Sequence, residues 1–335
     1  MKLPKGRALV AILGLMAALS LGAPVNAATP YNAKVIFFGV THKLTGPDDL
    51  AVLGQHIFVG FQNGVGSQGE PNNNGNLNST LVEMDVHGNV EHQVSIPGKI
   101  DGMGSDPANN RVIVTVNEDG NSRLATVDLN GNMTAYHYSP ATPPHHGGTD
   151  AVSVFDGKIY LSASCGGCQN PASQGTKPPA GSPAVYAVSL SGTTATLTST
   201  AINVDSPAVS ATSGKSAPLA ITDADSNTVV PSSAPKFGGD FMLDSQGDKV
   251  AVFASNMAPG APLKTLNLQT SIDDTAIATQ SQGVLVLTDS SANTVEVVTG
   301  PSPRGRSSPP RRLAMTTRHL RSARQLASRR TTWRP

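Results

Sequence analysis

The sequence predicts an all-β protein assembled from a repeated four-stranded antiparallel unit. Three observations carry that expectation. Of 335 residues, 33 are Gly and 25 are Pro, and Ser, Thr and Asn are abundant, so turn-forming residues punctuate the chain throughout. The apolar runs between them are short and rich in Val, Ile and Leu, which suits strands. Paired runs of this kind recur along the chain at a roughly regular spacing. Only 14% of residues are charged and 4% aromatic, which argues against a helical bundle or a coiled coil.

Taken in order, residues 1–28 read as a secretory leader. Lys2, Lys5 and Arg7 supply a positive start, and Ala8 to Leu21 an apolar stretch. Val25-Asn26-Ala27 gives the small-x-small pattern before a cut after Ala27 or Ala28. No later segment approaches the ~20 apolar residues of a transmembrane helix. The mature protein is therefore expected to be exported, periplasmic or extracellular, with no membrane span after cleavage.

Lys34 to Val40 follows as a strand with no hairpin partner nearby. Five Asp-headed hairpins come next, from Asp49, Asp101, Asp150, Asp240 and Asp274, each with apolar residues straddling a turn of Gly, Asp, Asn or Ser. Behind three of them lies a second hairpin: Leu81 to Val94, Leu124 to Tyr138 and Val185 to Thr198. Two consecutive hairpins make a four-stranded sheet. The heading Asp residues are 52, 49, 90 and 34 apart, and the regular value lies near the ~40–50 residues of a propeller blade. Two polar insertions, 169–183 and 206–235, account for the long interval. The short one implies a fourth blade with a lost or shortened outer strand. The fold expected over residues 29–300 is a β-propeller of about five recognisable blades, incomplete at its C-terminus, with Lys34–Val40 waiting to close a ring against a missing blade.

On these double hairpins the chain resembles the large family of exported six- or seven-bladed β-propellers, and within it the NHL and lactonase-like branches. No Trp-Asp dipeptide supports a WD40 relationship.

From Pro301 the strand pattern stops. Residues 301–335 hold ten Arg, no Lys and no acidic residue, whereas residues 1–300 hold 14 basic and 23 acidic side chains, a net of −9. The body thus offers no electrostatic footprint for nucleic acid. The abrupt exchange of Lys for Arg reads as a shifted frame in GC-rich DNA, with a disordered basic tail or an amphipathic helix as the alternatives.

Chemistry is expected where the repeats converge. In a propeller the first strand of each blade lines the central channel. Asp49, Asp101, Asp150, Asp240 and Asp274 should therefore gather at one mouth, with Asp48 and Asp273 beside two of them. Five carboxylates so placed call for counter-charge, and Ca²⁺ held by oxygen ligands would supply it. The alternative is that each Asp caps backbone N–H groups at its own strand start.

His145 and His146 enter the third blade on the same side and are the candidate catalytic pair, as general base or metal ligand. The alternative is that they are two solvated loop residues after Pro143 and Pro144. Cys165 and Cys168 read as a small disulfide in an oxidising compartment, with redox or metal-bound roles left open. The Gly/Asn/Gln-rich stretch from Asn63 to Asn78 is a recognition loop or a plain connector.

The lactonase-like resemblance implies a divalent metal held by Glu, Asn and Asp. No Glu is expected to face the channel, which sets lactone hydrolysis back. No nucleophile elbow, metalloprotease helix or phosphate-binding loop is found. The functional expectation is a scaffold binding a small molecule, glycan or protein. The alternative is a metal-dependent lactonase-like hydrolase or lyase.

Overall fold

A computed structural model describes residues 31–140, 148–163, 179–277, 282–301 and 314–315. Among these residues the chain is an all-β propeller built from antiparallel four-stranded blades. β1 (Asn32–Phe38) precedes the first blade, which is β2 (Pro47–Leu53), β3 (His56–Phe61), β4 (Asn78–Met84) and β5 (Val90–Pro97). The second is β6 (Ile100–Asp106), β7 (Arg111–Val116), β8 (Arg123–Asp128) and β9 (Met133–Ser139). The third is β10 (Val152–Phe155), β11 (Lys158–Ser162), β12 (Val185–Ser191) and β13 (Thr194–Ser199).

Two further strands, β14 (Pro207–Ser210) and β15 (Ser216–Pro218), come before the fourth blade. That blade is β16 (Ala224–Val229), β17 (Phe241–Ser245), β18 (Val250–Ala254) and β19 (Leu263–Asn267). The chain ends this series with β20 (Ala276–Ile277), β21 (Gln282–Asp289) and β22 (Thr294–Pro301).

The hairpin turns follow from local chemistry. Asp85 Oδ1 accepts the N–H groups of His87 and Asn89 at 2.8 and 2.9 Å, and Asp128 repeats this with Asn130 and Asn132, both at 2.9 Å. Such Asx turns fold the chain back between strands. The middle strands are covered on both faces, so they read as unbroken apolar runs. Ile57, Phe58 and Val59 of β3 and Val112, Ile113 and Val114 of β7 are all buried. Their side chains fill seams between successive blades. Phe58, Leu81 and Ile100 meet Val112 and Val114 in one seam, and Tyr160 meets Phe241, Leu243 and Val252 in another.

Two expectations are corrected here. First, the partner of the lone N-terminal strand is present: β1 pairs antiparallel with β22, Asn32 opposite Thr299 and Phe38 opposite Thr294. Asn293 Nδ2 donates to Leu44 O at 2.6 Å, and Thr288 Oγ1 donates to Asp48 O at 2.6 Å, which joins the last hairpin to the first blade. The two ends of the body thus meet in the three-stranded sheet β1–β22–β21, one strand short of the full blades, so among the described residues the propeller stays incomplete at its C-terminal end.

Second, the fourth blade begins at Asp225, not Asp240. The stretch 206–235 is not a mere insertion, for it supplies the inner strand β16 and the strands β14 and β15. β14 runs parallel to β19 and extends the outer edge of a full four-stranded blade. Asp240 lies between β16 and β17, at the opposite end of the inner strand from Asp225. With Asp225 in place the intervals become 52, 49, 75 and 49.

Candidate functional site

The inner strands β2, β6 and β10 stand side by side because the second blade carries glycine where they meet. A Cβ on Gly102 would lie 2.4 Å from Asp150 O, and one on Gly104 would lie 2.3 Å from Val152 O. Only a residue without a side chain allows that approach. It brings the start of each inner strand to a common mouth.

The mouth is a small, solvent-open depression lined by seven carboxylates: Asp48, Asp49, Asp101, Asp150, Asp225, Asp273 and Asp274. Ala151 and Ser226 complete the lining. Every blade contributes. The structure therefore gathers four of the five heading Asp residues read from the sequence, together with both neighbours, and it puts Asp225 where Asp240 was expected.

The carboxylates are held in different ways. Asp49 Oδ1 accepts Leu50 N–H at 2.6 Å, and Oδ2 accepts Met103 N–H at 2.5 Å, so this side chain ties the first blade to the second. Asp274 Oδ1 accepts Thr275 N–H at 2.9 Å. For these two the capping role holds. Asp48 Oδ2 takes a hydrogen bond from Gln62 at 2.6 Å, and Asp273 Oδ1 one from Gln246 at 2.5 Å.

Asp101 and Asp225 differ. They are 4% and 8% exposed, and the Oδ2 atom of each is buried with no hydrogen-bond donor. Asn227, two residues along β16, donates to Ala151 O at 2.8 Å and leaves its own buried Oδ1 without a donor. Such oxygens are costly to bury unless a shared carboxyl proton or a cation meets them, and Asp225 lies within hydrogen-bonding reach of Asp150 and Asp273.

Glu118 is a residue that sequence reasoning sets aside, with Glu70, Glu83, Glu91 and Glu296, as belonging to later strands or loops of the blades. It follows β7 and belongs to a loop, so no strand periodicity marked it, yet the fold turns it toward the mouth. Carboxylate oxygens of Asp101, Glu118 and Asp150 lie within 4.8 Å of one another. This corrects the expectation that no Glu joins the site. Lys99 Nζ sits 3.2 Å from Asp101 Oδ1 and 3.1 Å from Glu118 Oε2. Burial alone would lower the Lys99 pKa, but Asp101, Glu118 and Asp48 outweigh it and raise it, so this lysine stays charged.

One ammonium against so many carboxylates leaves a strong excess of negative charge. Burial, reinforced by Asp274, pushes the Asp49 carboxyl well above its ordinary range. Burial, with Asp150 next, does the same to Asp101. Asp225 is pushed up to about 8, chiefly by burial, and Asp244, whose Oδ2 accepts from Thr275 at 2.8 Å, to about 6 for the same reason. Without counter-charge the site keeps protons that free aspartates would have lost.

The loop from Asn63 to Asn78 leaves β3 at this same mouth. Its residues bond to one another, Asn72 Nδ2 to Asn63 O at 2.7 Å and Asn76 N to Asn72 Oδ1 at 3.0 Å. Asp119 N donates to Ser67 O at 3.3 Å, which joins the loop to the second blade. His145, His146, Cys165 and Cys168 lie outside the described residues.

No family model matches this sequence, and no curated protein matches it. Solved structures with similar architecture include a gluconolactonase from Xanthomonas campestris, 12% identical over 83% of this chain and 99% of that one, TM-score 0.39. A virginiamycin B lyase from Staphylococcus aureus is 10% identical over 81% of this chain and 99% of that one, TM-score 0.37. A Kuenenia stuttgartiensis hydrazine synthase is 11% identical over 73% of this chain, which spans about half (53%) of that one, TM-score 0.37.

Proposed function

We propose that the protein is an exported ligand-binding propeller whose acidic mouth holds a hard divalent cation, Ca²⁺, through Asp101, Asp150, Asp225 and Glu118. The observation that carries this reading is the pair of buried, donorless oxygens on Asp101 and Asp225. An all-carboxylate, all-oxygen donor set of this kind suits Ca²⁺ rather than softer metals. Bound there, the cation would neutralise the ring and offer coordination positions to an oxygen-bearing ligand arriving over the Asn63–Asn78 loop. A glycan, a small carboxylate or a protein side chain all fit that chemistry. Export rests on the leader pattern of residues 1–28.

Hydrolysis of a lactone at the same cation is the alternative function. Glu118 beside Asp101 favours it more than the sequence did. Turnover of simple lactones by the Ca²⁺-loaded chain would decide for it.

Thermal unfolding of the full chain in Ca²⁺ and in EDTA tests the binding reading. Ligand at 100 times its Kd stabilises a folded protein by about 2.7 kcal/mol, so a clear upward shift in Tm is expected with Ca²⁺. Superimposable curves would refute the reading.

A further inference from the structure

A second cluster of metal-ligand chemistry lies away from the mouth, on the first blade. Its residues come from three adjacent strands. His56 opens β3, and its side chain shares a face with Phe58, two residues on. Phe58 pairs with Glu83 of β4, and Glu83 pairs with His92 of β5. The register then slips, because Met84 pairs with Val90 and leaves Glu91 without an opposite residue. A bulge of this kind re-aims the extra side chain, and here it turns Glu91 onto the face that already carries His56, Glu83 and His92.

The distances follow. His56 Nδ1 is 2.9 Å from Glu83 Oε1 and 2.6 Å from Glu91 Oε2, and His92 Nδ1 is 2.9 Å from Glu83 Oε2. The ligand atoms of His56, Glu83 and Glu91 all lie within 4.8 Å of one another. Glu83 is only 2% exposed, and its Oε1 accepts no hydrogen bond. His56 Nδ1 makes its hydrogen bond with Glu91 instead. A buried carboxylate oxygen thus faces an imidazole nitrogen and a second carboxylate with no donor of its own.

We infer that His56, Glu83 and Glu91 form a three-ligand site for a borderline divalent metal of the Zn²⁺ or Co²⁺ kind, with a fourth coordination position open to the adjoining groove. Mixed imidazole and carboxylate donors select such metals over Ca²⁺. Metal–ligand bonds of about 2.0–2.1 Å in a tetrahedron set ligand atoms about 3.3 Å apart, so the 2.9 Å gap to Glu83 needs to open by about 0.4 Å and the 2.6 Å gap to Glu91 by about 0.7 Å. His56 and Glu91, 33% and 37% exposed, stand at strand ends where that movement is easy. His92 is a positioning residue, because its bond to Glu83 Oε2 aims Glu83 Oε1 at the site, as outer partners of metal ligands commonly do. The open position faces a groove lined by His87, Pro107 and Leu129.

Co²⁺ titration of the full chain, followed by visible absorption, tests this directly. The expected result is an intense d–d band of a tetrahedral centre, abolished by adding excess Zn²⁺. The band should disappear in His56→Ala and in Glu91→Gln, both at accessible positions, and His92→Ala should weaken Co²⁺ binding about 10–100-fold. An Asp225→Asn variant should keep the band, which separates this site from the mouth. No band in the parent chain, or an unchanged band in the His56→Ala/Glu91→Gln double variant, overturns the inference. Melting curves of both variants without metal show whether each is folded.

Discussion

Gly102 stands so close to Asp150 that a Cβ there would lie 2.4 Å from the Asp150 carbonyl oxygen and 2.6 Å from the Cα of Ala151. That contact sets the distance between the second and third inner strands, and with it the approach of Asp101 to Asp150. Both obstructing groups are backbone, so neither can step aside. Gly102→Ala should therefore part the strands, destabilise the fold by about 2 kcal/mol, and weaken Ca²⁺ binding at the same time. Chemical denaturation and a Ca²⁺ titration on the same sample check the two effects together. Unaltered Ca²⁺ affinity in a destabilised variant would mean that the spacing of these strands does not govern the site.

The buried carboxylates make stability without metal depend on pH in an unusual direction. A carboxyl whose folded pKa is raised binds its proton more tightly in the folded state, so stability falls as pH rises from the unfolded value near 3.9 toward the folded one. For Asp244 that window closes near 6, and for Asp225 near 8. Tm in EDTA should decline between pH 5 and 8, and saturating Ca²⁺ should flatten the decline. A Tm that climbs over this range in EDTA would contradict the charge account.

Replacing one member of the ring by its neutral isostere should relieve repulsion. Asp225→Asn is expected to raise stability in EDTA by about 1 kcal/mol and to remove most of the Ca²⁺-induced shift. Asp240→Asn, on a residue outside the mouth, should leave that shift intact. Equal effects from the two substitutions would return Asp240 to the site and discard the assignment of Asp225.

The seam between the third and fourth blades is an aromatic cluster. Phe241 is fully buried, 5.5 Å from the Tyr160 ring and 6.1 Å from that of Phe155. Phe241→Ala should cost about 3–5 kcal/mol, whereas Val209→Ala, on the exposed face of β14, should change stability by less than about 0.5 kcal/mol. Urea midpoints measure both. A small loss at Phe241 would mean that the two blades are not packed through this seam.

What could be read from the sequence depended on which side chains carried the pattern. The middle strands, buried on both faces, announce themselves as apolar runs such as Arg111–Val116, and the recurrent Asp marked the mouth correctly in four blades. The error at the fourth blade has a physical origin. Its inner strand, Ala224–Val229, places polar Ser226 in the mouth and Asn227 against the backbone of Ala151, both buried, so it lacks the apolar signature. The louder run beginning at Phe241 drew the assignment to Asp240. Closure by β1 was legible as an unpaired strand, but its partner β22 could be found only once the last hairpin was seen to have a free edge. Glu118 and the Glu91 bulge left no trace in the pattern. One sits in a loop, and the other depends on a one-residue slip in pairing that periodicity cannot register.

The measurement that bears most directly on the central claim is a calorimetric Ca²⁺ titration of the full chain at pH 7, beside the Asp101→Asn/Asp225→Asn double variant. The account predicts saturable, stoichiometric binding by the parent chain and its loss in the double variant, which should remain folded because its neutral side chains ease the crowding of charge. Heats that never saturate in the parent chain, or an identical isotherm in the double variant, would contradict it.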